Sequence, residues 1–358
     1  MSFRSRAHSA VRALCPPALL FCVSLGPSPL EGGDARPRPT FASAVDVVNL
    51  NVSVTDVRDR HITGLDAADF KVFEDGVPQQ LCLFTSERLP LSVAILVDSS
   101  LSMHARLPAV KAAALRLVRA LGPEDEAEIV QFNHRYTALQ EFTSDLGLLE
   151  KAVAGIKAEG ATGVYNAIYL TLKDPRFRRK SDELIRQAVV VLSDGEDTSS
   201  LVNDDQVVAL ARKSNVTVYT ISLTPQRTLL AADRTAADRA TYFLTAVAKE
   251  TGGRSYFPEG LHHLDGVYGR IADELRTQYA LGYVSTNPSR DGEWRKINIA
   301  TGQGDLLLRH KLGYYAGQLR QARRERPSAA TSSATADGGL RRSPPAMDGG
   351  REPEEPRP

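Results

Sequence analysis

Hydrophobic positions along the chain follow two different periods, and the switches between them divide it. Val45 to Thr55 closes on Val-Asn-Leu-Asn-Val-Ser-Val-Thr, an alternation of period two that predicts a half-buried strand. Phe70 to Glu74 alternates in the same way and stops at Asp75-Gly76, a hairpin-type turn, before Leu81 to Thr85 resumes the pattern. Leu91 to Val97 then reads Leu-Ser-Val-Ala-Ile-Leu-Val, nearly continuous, as expected of a central parallel strand covered on both faces. Beyond it, strand-like runs (Ala127 to Phe132, with Tyr136 to Phe142 as its hairpin partner, Gln187 to Leu192, Val216 to Ile221, Ser255 to Phe257) alternate with segments of helical spacing. The helical segments are Leu107 to Leu121, Leu148 to Ile156, Val164 to Leu172, Asp204 to Ser214, Ala237 to Thr251 before Gly252-Gly253, and Leu264 to Leu275. Strand character returns at Tyr279 to Val284, Arg295 to Ala300 and Leu306 to Tyr315.

Alternating strands and helices imply an α/β fold, a doubly wound and mostly parallel sheet with helices on both faces. The alternating strands on either side bury too little to stand separately, so they are expected to pair with one another. The expected organisation is therefore an α/β domain over 91–278, inserted in a small β-sandwich-like domain built from 45–90 and 279–317. Residues 318–358 are rich in Pro, Gly, Ser and Arg without apolar periodicity, the composition of a disordered tail.

Residues 1–44 read as a signal peptide and linker. Arg4, Arg6 and Arg12 precede a mostly apolar run from Ala13 to Leu25, too short to span a bilayer and interrupted by Pro16 and Pro17. Export to a periplasmic, envelope or secreted location is expected, with no membrane association once the leader is removed. Of the 3 cysteines, Cys15 and Cys22 lie in that leader, and Cys82 is left alone, expected as a buried structural thiol. Lys and Arg number 44 against 43 Asp and Glu, so no overall field favours nucleic acid or an anionic membrane.

Ligands of open α/β sheets bind outside the carboxyl ends of the strands. Here two apolar strands end in acidic, hydroxyl-rich loops, Asp98-Ser99-Ser100-Leu101-Ser102-Met103 and Ser193-Asp194-Gly195-Glu196-Asp197, and Gly160-Ala161-Thr162-Gly163 precedes a helix between them. Asp98, Ser100 and Ser102 stand at alternate positions leaving a strand, so one tight loop can turn all three inward. With Thr162 and Asp194 they give two carboxylates and three hydroxyls, hard oxygen donors suited to Mg²⁺, Mn²⁺ or Ca²⁺. Two carboxylates only balance a dication, which leaves it able to accept one more carboxylate, from a partner.

This set resembles the metal-ion-dependent adhesion site of von Willebrand factor type A domains, over roughly Leu91 to Leu275. The flanking Ile62-Thr63-Gly64, Phe73-Glu74-Asp75-Gly76 and Gly313-Tyr314-Tyr315 resemble bacterial relatives whose inserted domain sits in a β-frame. The resemblance implies Ser100 and Ser102 as direct metal ligands, Asp98 and Asp194 binding directly or through water, and Thr162 switching between the two with ligand state. It implies a protein partner offering a carboxylate. No small-molecule substrate is implied. The family carries Gly where this chain has Leu101. Leu resists dihedrals open to Gly, so either the loop shifts and affinity falls, or Leu101 presents an apolar knob beside the metal.

Other readings of these residues are weaker. Glu196 and Asp197 are expected to serve the start of the following helix. His104 reads as a solvated side chain, and His262-His263 lacks acidic or cysteine partners for a metal. A subtilisin-like protease needs His-Gly and Gly-Thr-Ser segments that are absent, and a phosphohydrolase using Asp98 as nucleophile would want Asp where Ser100 stands. Gly160 to Gly163 lacks the Lys-Ser/Thr of a phosphate loop. Binding thus ranks above catalysis, with a structural envelope protein whose metal site has decayed as the alternative.

Overall fold

In a computed structural model of the chain, the described residues are 47–176, 185–193, 197–223 and 234–317, and for 234–238 the backbone alone is described. The leader (1–44) and the tail (318–358) lie outside them. Four strands come first: β1 (Val47–Thr55), β2 (Phe70–Glu74), β3 (Val77–Gln79) and β4 (Leu81–Thr85). The middle of the chain gives β5 (Leu91–Asp98), α1 (Leu107–Ala120), β6 (Glu126–Phe132), β7 (Tyr136–Thr143), α2 (Leu146–Gly155), α3 (Val164–Lys173) and β8 (Arg186–Ser193). It continues with α4 (Asp204–Lys213), β9 (Thr217–Ser222), α5 (Arg234–Thr251), β10 (Ser255–Tyr256) and α6 (Leu264–Thr277). Four strands close the described chain: β11 (Tyr279–Val284), β12 (Trp294–Thr301), β13 (Leu307–Arg309) and β14 (Gly313–Tyr315).

The central sheet runs β10-β9-β8-β5-β6-β7, parallel except for β7. Its winding follows from β5, every residue of which is buried. Leu91, Val93, Ile95 and Val97 face a core with α1, α2 and α6, while Ala94 and Leu96 face a second core with α3, α4 and α5. The continuous apolar run is what a strand covered on both sides requires. The chain moves outward from β5 to β6 on one side and from β8 to β9 on the other, so the order reverses between β5 and β8. That reversal is where open α/β sheets leave a crevice.

The flanking strands form two further sheets, β13-β1-β11-β4 and β14-β12-β2-β3. They share one core of Val48, Leu50, Val52, Phe70, Val72, Tyr279, Leu281, Ile297 and their neighbours. This is the α/β sheet set in a β-sandwich that the period change predicts. The strands themselves differ from expectation in two places. Asp75 (φ 48°) and Gly76 (φ 82°) do form a two-residue hairpin turn of the primed kind, but they lead into β3, and β4 pairs with β11 in the other sheet. β3 contains Pro78, tolerable because β3 is an edge strand. The single strand expected over Leu306 to Tyr315 is two, since β13 joins β1 and β14 joins β12 on the opposite sheet.

Cys82 corrects another expectation. It is exposed, because β4 is a sheet edge with only β11 beside it, and its Sγ lies 3.5 Å from the Gly282 carbonyl. No helix among the described residues is long and apolar enough to cross a membrane.

Candidate metal centre at the switch point

β5 delivers Asp98 to the carboxyl edge of the sheet with no exposed surface. A buried carboxylate is costly unless its oxygens are engaged. Both are: Oδ1 accepts the Ser100 N–H at 2.9 Å, and Oδ2 accepts the Ser193 hydroxyl at 2.6 Å across the β5–β8 gap. The Ser99 N–H and hydroxyl both donate to the Phe132 carbonyl, at 2.7 and 3.0 Å, pinning the loop to the end of β6. Ser100 leaves the strand in an extended conformation (φ −64°, ψ 163°), and Leu101–Met103 then make one 3-10 turn. That turn folds Ser102 back, so its Oγ lies 3.0 Å from Ser100 Oγ.

The loop before α3 is fastened to this turn. The Leu101 N–H donates to the Gly160 carbonyl (3.0 Å), and the Glu159 N–H donates to the Ser99 carbonyl (2.7 Å). Gly160 has φ +72°, a conformation that favours glycine, and a Cβ there would meet the exposed His134 ring at 2.2 Å and push it aside. Thr162, two residues on, is buried, and its carbonyl accepts the N–H groups of Thr198 (2.9 Å) and Ser199 (3.0 Å). Its own N–H donates to Thr198 Oγ1 at 3.1 Å.

Of the five candidate ligands, Asp98, Ser100 and Ser102 are thus joined directly, and the loop of Thr162 is bonded to theirs. Asp194 and Glu196 lie outside the described residues. Ser193, immediately before Asp194, is the site residue that motif reading passed over, although a hydroxyl at the end of an apolar strand was a visible signal. Leu101 causes no backbone conflict. It stands in a 3-10 turn, and among the described residues the non-glycine positions with positive φ are Asp59, Asp75 and Asp305. Its side chain points outward, 65% exposed. Asp197 does not serve the following helix. Its carboxylate caps the preceding one, accepting the Tyr165 N–H at 2.9 Å, whereas α4 is capped by Asn203 and Gln206. His104 is exposed.

Among the described residues, which leave out Asp194, no cluster of three or more His, Cys, Asp or Glu could hold a metal, so the donors available from them include the hydroxyls. The two hydroxyls share a hydrogen bond, and their spacing also suits a shared cation. Adjacent ligands of a small octahedral cation with bonds of about 2.1 Å sit about 3 Å apart, the separation of Ser100 Oγ and Ser102 Oγ.

A family model described as von Willebrand factor type A domain matches residues 93–196. Over 140 residues the chain is 29% identical to the uncharacterized protein sll0103 of Synechocystis sp., a match spanning 37% of this chain and 32% of that relative, about a third of its length. A von Willebrand factor type A structure from Catenulispora acidiphila overlays with TM-score 0.42 at 11% identity, over 76% of this chain and 75% of that one. Proximal thread matrix protein 1 from the mussel byssus, with a zinc-occupied adhesion motif, overlays with TM-score 0.42 at 16% identity, over 55% of this chain and 48% of its own. On the match over 93–196 and the doubly wound sheet that carries it, the chain contains a von Willebrand factor type A domain.

Proposed function

We propose that this protein is an exported binding module that holds a divalent cation at Asp98, Ser100, Ser102, Thr162 and Asp194 and uses it to bridge to a carboxylate on a protein partner. The observation that carries the reading is the Ser100–Ser102 hydroxyl pair, 3.0 Å apart beside the buried Asp98 carboxylate. The cation, Mg²⁺ or the similar Mn²⁺ or Ca²⁺, would supply a positive charge with a coordination position left for the partner. Asp98 does the positioning: it holds the Ser100 amide and the Ser193 hydroxyl, and so fixes the loop carrying both serines and the strand end preceding Asp194. Thr162 is available from the loop strapped to that turn. Hydroxyls add no negative charge, which favours a partner that brings its own. Export is supported by the basic, then apolar, amino-terminal pattern.

Isothermal titration of the full chain with Mg²⁺ and Mn²⁺, beside Asp98→Ala and Ser102→Ala, tests this. Saturable one-site binding is expected in the intact chain. It should be lost in Asp98→Ala and weakened by about tenfold in Ser102→Ala, with far-UV circular dichroism unchanged. Equal binding by Asp98→Ala would place the metal elsewhere. No binding to the intact chain at millimolar metal would favour a structural protein with a decayed site.

A further inference from the structure

We propose that the cleft between the end of β10 and the first half of α6 is a second binding site, for a small anion with a planar apolar body and a carboxylate or phosphate head. It is separate from the metal centre and does not depend on it. β10 lies three strands from β5 in the central sheet, about 14 Å at the usual strand spacing.

The cleft is open to solvent and has a volume of about 340 Å³. That is the size of a small-molecule site and far more than the roughly 30 Å³ taken up by one water. One wall is the chain leaving β10, where Tyr256 is followed by the half-buried Phe257 and Pro258. The other is a face of α6, on which His263, Gly266, Val267 and Arg270 recur at helical spacing. Gly266 keeps that face open. A Cβ there would meet nothing nearer than Arg270 Nη1, at 3.9 Å, so close packing does not call for glycine. Nor does the helix, which glycine weakens relative to alanine. A longer side chain at this position would fill the space between His263 and Arg270.

The chemistry of the walls selects an anion. Arg270 is exposed, makes no ion pair among the described residues, and has its guanidinium 5.5 Å over the Tyr256 ring. His262 and His263, with ring centroids 4.0 Å apart, are exposed and make no side-chain hydrogen bond among the described residues, so each has an N–H to offer. Neither wall carries a carboxylate. The acids around the cleft are engaged elsewhere: Asp265 by Arg116 (2.8 Å), Asp59 by Arg254, Asp273 by Arg276 (3.9 Å) and Glu274 by Arg309 (2.7 Å). Exposed Glu259, in the loop between the walls, is the opposing charge. A bare inorganic anion could pair with Arg270 but would leave Phe257 and Pro258 in water. A planar apolar ring behind the anionic head covers them.

Saturation-transfer difference NMR of the full chain, dialysed against chelator and then into metal-free buffer, tests this without any cation at Asp98. Benzoate and phenyl phosphate are expected to bind with Kd of about 1 mM, as suits ligands of their size, and the tighter of the two names the head. Benzamidine, which sets a cation on the same ring, should bind at least about tenfold more weakly. Inorganic phosphate should displace phenyl phosphate only at about tenfold higher concentration, because it leaves the apolar wall uncovered. Arg270→Gln removes the charged donor and Gly266→Leu fills the cleft, both at exposed positions. Each should weaken binding about tenfold with far-UV circular dichroism unchanged. No binding of either anion at about 10 mM overturns the proposal, since so weak a Kd needs no built site. Benzamidine binding as tightly as benzoate, displacement by equimolar inorganic phosphate, or unaltered binding by Arg270→Gln overturns it as well.

Discussion

Glu128 stands on β6 with its side chain buried, one oxygen accepting from Arg176 Nη2 at 2.7 Å and the other without a hydrogen-bond partner among the described residues. Burial outweighs the attraction of the Arg176 guanidinium and pushes its pKa up from 4.5 to about 7. The folded chain therefore keeps this proton to higher pH than the unfolded chain does. Folding takes up a proton between about pH 4.5 and 7, and stability falls as pH rises through that window. Urea midpoints of the intact chain and of Glu128→Gln, compared from pH 4.5 to 8, should converge at the acid end and diverge toward pH 7 in favour of the variant. A constant difference would show that Glu128 ionises as freely in the fold as outside it. Single residues also mark where reading the sequence stops. Asp98 and both serines were legible, because a carboxylate and hydroxyls at alternate positions after an apolar strand have few other uses. The conformation at Leu101 was not, since residue type gives the permitted dihedrals and the following 3-10 turn decides which is used.

Helix α3 shows the same limit for an element. Its amphipathic spacing predicts it to within a residue, yet its N-cap position is Gly163, which has no side chain to offer. The cap comes from a distant loop, with Asp197 Oδ2 on the Tyr165 N–H and Ser200 Oγ on the Asn166 N–H, both at 2.9 Å. Asp197→Ala should cost about 1 kcal/mol, the usual value of a lost cap. It would be read as a lower urea midpoint at unchanged slope. An unchanged midpoint would mean that water replaces the carboxylate without loss. Capping from 32 residues away has no local signature, which is why Asp197 reads from sequence as belonging to the helix after it. The break between β13 and β14 is hidden for a related reason. Apolar character continues on both sides of His310-Lys311, but the backbone of that pair packs against Gly252, where an added Cβ would meet His310 C at 2.5 Å. Contact with the end of α5 diverts the chain there from one sheet to the other.

At the scale of the whole molecule, the α/β domain and the β-sandwich meet around one buried carboxylate. Glu274 on α6 accepts from Ser53 of β1 (2.8 Å) and Tyr219 of β9 (2.9 Å) on one oxygen, and from Arg309 of β13 (2.7 Å) on the other. Gln278 Nε2 donates to the same Ser53 and Tyr219 oxygens, at 3.2 and 3.0 Å. Arg186 of β8, buried with its pKa lowered to about 10 by desolvation, donates to the Gln278 carbonyl. One network therefore engages strands of both parts, and removing its central charge leaves the half-buried Arg309 without its partner, a change that costs less than the roughly 3–5 kcal/mol of a fully buried pair because water reaches the guanidinium. The chain carries its own reporter for the consequence. Trp294, the single tryptophan, lies on β12 in the sandwich, whereas far-UV circular dichroism is dominated by helices of the α/β domain. In the intact chain the two signals should change together along a urea series, as a cooperative unit requires. In Glu274→Ala the midpoints should fall and separate, because the sandwich keeps its own apolar core while losing its polar tie to α6. Coincident transitions in the variant at an unshifted midpoint would show that apolar packing alone couples the two parts. Separate transitions in the intact chain would show that they are not coupled at all.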